Sequence, residues 1–138
     1  MNVNYLAVVL ATIAQFVAGA IWYMPLFGEL WGKIHGFDKF SKKEQKEMQA
    51  KMGPYYAAQI FVTFLTALVL AKLLVVLPDY SPYALGLMCW VGFLLPANVS
   101  SVIFGGTEPK WMAKKMAVMA GGSLICTVVA VAVLSLVK

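Results

Sequence analysis

Arginine is absent from these 138 residues, histidine occurs once and cysteine twice. Asp and Glu together number six, and none of them falls inside the four long apolar runs of the chain. Each shortage excludes a chemistry. A zinc site takes about four ligands from Cys, His or carboxylate. Here His35 stands alone, Cys89 and Cys126 lie in separate apolar runs, and no Cys-x-x-Cys spacing occurs. No metal and no cofactor is therefore called for. Both cysteines read as small buried hydrophobes, with a disulfide between adjacent helices as the alternative. Without Asp, Glu or His in a span there is no proton relay of the usual kind. No serine has a histidine base placed by sequence, no paired carboxylates flank a cleft, and no Gly-rich phosphate loop occurs. Catalysis has no residues to carry it, so a non-enzymatic role is expected and a membrane enzyme ranks third.

What the chain does have is apolar length. It is 62% hydrophobic and 12% charged, whereas globular domains run at about 45–50% and about 25%. A soluble domain of this size could not hide so much apolar surface. Runs at 3–24, 55–77, 83–104 and 112–137 each reach the roughly 20 residues that cross a bilayer core as a helix. Lipid offers the backbone no water to bond, so each run must be helical. The predicted fold is all-α: a single domain, 1–138, with four transmembrane helices in two hairpins. The start, Met1-Asn2-Val3-Asn4, has no basic side chain ahead of the apolar run, so this run reads as a retained span and not a signal peptide.

The net charge of +5 comes entirely from lysine on the basic side. Nucleic acid is the wrong inference, because the lysines cluster in alternate loops, which is the topology signal of a multi-span protein. Lys33, Lys39, Lys42, Lys43, Lys46 and Lys51 lie between spans one and two, and Lys110, Lys114 and Lys115 between spans three and four. Segments 29–53 and 105–115 are thus expected in the cytoplasm, and both termini outside, in the inner or plasma membrane of a cell. Lys72 and Lys138 oppose this count, but each sits near a helix end and can snorkel to the outer interface.

The first of these loops has structure of its own. Pro25 is expected to break the first span, since proline lacks an N–H. From there Phe27, Leu30 or Trp31, Ile34 and Phe37 recur at helical spacing, and Glu29 can pair with Lys33 one turn on. This predicts a short interfacial helix, apolar side down. Gly28, Gly32 and Gly36 share another of its faces, where a neighbouring backbone could approach. Ser41-Lys42-Lys43-Glu44 matches a capping box and should open a short cytoplasmic helix to about Lys51, stopped by Gly53-Pro54. The lysines from Lys39 to Lys51 are expected near anionic lipid headgroups.

Polar residues inside the spans are costly to place in lipid, so their positions are informative. Asn4, Thr12, Gln15 and Gly19 share one stripe of the first helix, and Tyr56, Gln59, Thr63 and Thr66 one stripe of the second. The fourth offers Met116, Met119, Ser123 and Thr127. Pro96 leaves the carbonyl of Gly92 without its usual partner and marks the third span as the kinked one. Asn98-Val99-Ser100 spells a glycosylation sequon, unusable inside a span. The plain expectation is that these groups hydrogen-bond between packed helices. The functional alternative gathers Trp22, Tyr23, Tyr56, Gln59, Trp90 and Asn98 toward the cytoplasmic end as a ligand-binding cluster, since aromatic walls with few fixed polar groups suit a small apolar or lipid-like molecule.

One stretch carries a resemblance. Gly19-x-x-Trp22-Tyr23-x-Pro25-x-Phe27-Gly28-x-x-Trp31 resembles the signature at the end of the first span in the domain of unknown function 1761 family. That family comprises small membrane proteins, largely bacterial, predicted to have four spans. The resemblance implies membrane location and a four-span fold, and no activity. With the small-residue faces at Gly28/Gly32/Gly36 and at Ala120-Gly121-Gly122-Ser123, it leaves a homo-oligomer or a small partner in a larger membrane complex as the leading expectation, and a binder or transporter as the runner-up.

Overall fold

The computed structural model describes residues 2–137, and its elements are all helical. They are α1 (Tyr5–Ile21), α2 (Gly28–Ile34), α3 (Lys42–Ala50), α4 (Gly53–Val76), α5 (Pro82–Cys89), α6 (Leu95–Phe104) and α7 (Met112–Leu136). Four continuous stretches, Tyr5–Leu26, Gly53–Val76, Pro82–Phe104 and Pro109–Leu136, are long and apolar enough to cross a membrane. The expectation for Lys138 falls outside the described residues.

Local chemistry sets the helix ends. Asn4 caps α1, its side-chain oxygen accepting from the Ala7 amide at 3.2 Å, which satisfies one of the unpaired donors of the first turn. Prolines 54 and 82 open α4 and α5, where the missing N–H costs nothing. Gly53-Pro54 therefore starts the second span, and only Lys51 and Met52 separate it from α3.

Pro25 does not break the first span. The helix runs through it as a π-helical turn, Trp22–Leu26, and the chain turns at Phe27, where φ is −123° and ψ 12°. The Phe27 amide donates to the Trp22 carbonyl at 3.0 Å, five residues back. Widening the ladder in this way carries the chain past the N–H that proline lacks. The third span uses the same device. Its irregularity is a π turn at Trp90–Leu94, closed by the Leu95 amide on the Trp90 carbonyl, just before Pro96 in α6.

In space α1 lies between α4 and α7, and α7 in turn carries α5 and α6; α4 touches α5 and α7 only lightly. Small residues make these contacts close. Val8 and Ala11 of α1 meet Ala67 and Ala71 of α4 in the buried core. Gly86 of α5 sits against α7 so tightly that a Cβ there would lie 2.7 Å from Cγ2 of Val131. Such contact substitutes packing for the hydrophobic drive that lipid removes.

The hydroxyl groups of the polar stripes mostly stay within their own helices. Thr12, Thr63 and Thr127 donate to the carbonyls of Val8, Gln59 and Ser123, four residues back, at 2.7–2.8 Å. That departs from the expected links between helices; a threonine hydroxyl reaches its own preceding turn more readily than a neighbour. Outside the spans, α2 carries the Glu29–Lys33 ion pair at 3.5 Å. Ser41 caps α3 by accepting from the Glu44 amide at 3.2 Å. Of the three glycines on that expected face, Gly28 faces the Tyr23 carbonyl of the first span, Gly32 faces Phe37, and Gly36 follows α2 at φ 72°.

Candidate functional site

The polar traffic between helices converges on one stretch of α7, from Val118 to Ser123. Trp22 reaches it from the first span, its indole N–H donating to the Val118 carbonyl at 2.9 Å. A helix carbonyl is reachable from the side only if the next turn leaves it uncovered, and here that turn is Gly121-Gly122. A Cβ at Gly121 would lie 2.6 Å from Cζ2 of Trp22, and one at Gly122 3.0 Å from the indole nitrogen and 3.1 Å from the Tyr23 hydroxyl. The two glycines are thus the seat of the indole. The Ala120–Ser123 face, expected to serve contact between copies, is occupied from within the chain.

Trp90 and Asn98 reach the same stretch from the third span. The Trp90 indole donates to Ser123 Oγ at 2.9 Å and to the Ala120 carbonyl at 3.2 Å. The Asn98 amide donates to Ser123 Oγ at 2.7 Å. Ser123 in turn donates to the Ala120 carbonyl at 3.0 Å. One hydroxyl proton and two lone pairs are then all used. The π turn makes this possible. At about 100° per residue, eight residues of regular helix leave two side chains about 80° apart. The extra residue of a π turn brings that to about 20°, so Trp90 and Asn98 face Ser123 together.

The six residues named from the sequence thus fall into three places. Trp22 and Tyr23 sit on Gly121 and Gly122, and Trp90 and Asn98 on Ser123. Tyr56 and Gln59 stand apart on α4, Tyr56 edge-on to Phe16 at 6.5 Å and Gln59 with its amide on Thr63 Oγ1 at 3.2 Å. Tyr23 also starts an aromatic ladder. Its ring meets Trp31 at 4.9 Å, Trp31 meets His35 at 4.3 Å, and the Lys115 ammonium lies 5.9 Å from the Trp31 ring. Beside Trp22 a crevice of about 240 Å³ is lined by Phe27, Leu30, Lys114, Ala117 and Val118.

Two features have no counterpart among the six. Gln15 is 5% exposed and its side-chain nitrogen has no hydrogen-bond partner among the described residues. Its place in a polar stripe was visible in the sequence, but its isolation was not. Cys126, half-buried and free, donates weakly to the Gln15 carbonyl with Sγ at 3.6 Å. The seat formed by Gly121 and Gly122 had one visible signal, a pair of adjacent glycines in an apolar run.

Neither a curated protein nor a solved structure is found to match this chain. The family comparison does give a match: the model of a family described as a protein of unknown function, DUF1761, covers residues 6–135. With four membrane-length helices and a match over nearly its whole length, the chain belongs to the DUF1761 family.

Proposed function

We propose that the protein is a non-enzymatic multi-pass membrane protein that works as a homo-oligomer or as a small subunit of a membrane complex. Its lysine-rich end lies in the cytoplasm, its termini lie outside, and residues Lys39 to Lys51 attract anionic headgroups. The observation that carries the oligomer is the first half of α4. Every residue from 53 to 62 is exposed, and one of them is Gln59, whose amide meets only Thr63 of its own helix among the described residues. Apolar side chains there would suit lipid, but an amide with open valences would not. A second chain or partner helix over this half satisfies it.

Native mass spectrometry of protein released from lipid nanodiscs tests the proposal. A dimer or larger species is expected, weakened about threefold or more by Gln59→Leu, since a hydrogen bond between membrane helices contributes about 0.6–1.7 kcal/mol. A strict monomer, with no neighbour crosslinked in native membranes, overturns it.

The crevice beside Trp22 favours a second reading, a binder of an apolar or lipid-like molecule. Of the six candidates only Trp22 lines it. A co-purifying lipid lost in Trp22→Ala supports this reading, and its retention there counts against it.

A further inference from the structure

At the lysine-rich end, the loop after α2 and the loop after α6, with residues of α2 and α7, line an open cavity of about 520 Å³. The two loops are some 70 residues apart in sequence, on the order of half the chain. From the residues that line this cavity we propose that it is a binding site for a phosphate group, on a lipid or free in solution. The proposal does not depend on the oligomer.

Charge is the first ground. Lys33, Lys39, Lys110 and Lys115 line the cavity against the carboxylates Asp38 and Glu108, four positive charges against two negative. Glu108 is held by Lys110 at 3.4 Å, and Lys33 is shared with Glu29 at 3.5 Å. Lys39 and Lys115 have no carboxylate within ion-pair distance among the described residues, which leaves two ammonium groups for an incoming anion.

Backbone is the second ground. Gly105 has φ −91° and ψ 16°, and Gly106 follows at φ 72°. A right-handed residue followed by a left-handed one points successive N–H groups into a shared concavity, the nest that binds anions. The Gly106 amide makes no backbone hydrogen bond among the described residues, so it is available, while Thr107 closes the turn that ends α6. Nothing lies within 4 Å of where a Cβ of Gly106 or Gly36 would stand, so a ligand can approach the main chain at both loops.

An orphan group is the third ground. The Thr107 hydroxyl oxygen is closed off from solvent and has no hydrogen-bond partner among the described residues. Buried hydroxyls are rarely left so, and a phosphate oxygen is a strong acceptor for one. Lysine as a point charge, a loop N–H and one hydroxyl make up a phosphate-binding set, here built from two separate loops.

The test uses the full chain in two arms. In phosphatidylcholine nanodiscs, inorganic phosphate is titrated by calorimetry. In mixed phosphatidylcholine and phosphatidylglycerol micelles, native mass spectrometry counts retained lipid of each kind. Saturable phosphate binding assigns the site to a soluble phosphate, and selective retention of phosphatidylglycerol assigns it to a headgroup; either supports the proposal. Lys39→Gln with Lys115→Gln should weaken that binding at least about tenfold, as removal of charge-assisted hydrogen bonds does. Gly106→Ala, which keeps every charge but disfavours the left-handed φ, should weaken it too. Lys72→Gln, a loss of charge near the far end of α4, should leave it within about twofold. The proposal is overturned if wild-type protein shows neither binding, or if Lys72→Gln loses as much as the cavity pair.

Discussion

Trp22, Trp90 and Asn98 all spend their donors on one stretch of α7, and the cost of disturbing that stretch can be estimated residue by residue. Ser123→Ala removes the acceptor shared by Trp90 and Asn98. Trp90 keeps the Ala120 carbonyl, while Asn98 is left with the Met119 carbonyl at 3.4 Å. A loss of about 1 kcal/mol is expected, within the range for hydrogen bonds between membrane helices, read as a lower unfolding midpoint in detergent. Gly121→Ala places a methyl group against the Trp22 ring, 2.6 Å from Cζ2. Overpacking of this kind costs about 1–3 kcal/mol, so the midpoint should fall further than for Ser123→Ala. Gln15 runs the other way. Its nitrogen is buried without a partner, and Gln15→Leu should raise the midpoint by about 1 kcal/mol, the order of an unpaired buried amide's desolvation. A fall instead would mean that Gln15 has a partner from outside the chain.

The elements differ in what holds them. α1 and α7 are held by packing along their length, but α3 is nearly all exposed and touches the rest through Gln45, whose amide donates to the Phe37 and Phe40 carbonyls at 3.1 Å. Nine residues make a marginal helix in water, so its cap matters. Ser41→Ala should cost about 1 kcal/mol, and hydrogen exchange of the amides in Lys42–Ala50 should speed up about fivefold while α7 is unchanged. The elements also show where sequence reasoning reaches and where it stops. Four spans were legible because about 20 apolar residues in a row leave the chain no other option in lipid. The Ser41 cap and the Glu29–Lys33 pair were legible because both are local, within four residues. The passage of the helix through Pro25 was not, because a π turn is chosen by what the widened helix then presents to α7. The juxtaposition of Trp90 and Asn98 depended on the same kind of turn. Nor could sequence spacing divide the six candidate residues among Gly121, Ser123 and α4, or bring Lys39 and Lys115 to one cavity, since those are contacts between distant segments.

At the scale of the whole molecule, one side is finished and another is open. The α7 face is closed by glycine, alanine and the indoles of Trp22 and Trp90, which donate to its carbonyls and to Ser123. The first half of α4 is exposed from 53 to 62, carrying Tyr55, Tyr56 and Gln59, with Tyr56 touching Phe16 of α1 edge-on. A surface of this kind suits assembly. The central claim, in its homo-oligomer form, is that a second copy covers this half, and crosslinking in lipid tests it most directly. In a background where Cys89 and Cys126 are replaced by alanine, Gln59→Cys should give a disulfide-linked dimer under mild oxidation. Val69→Cys, exposed on the other half of the same helix, should give little. Monomer alone from Gln59→Cys, or equal dimer from both positions, would contradict it.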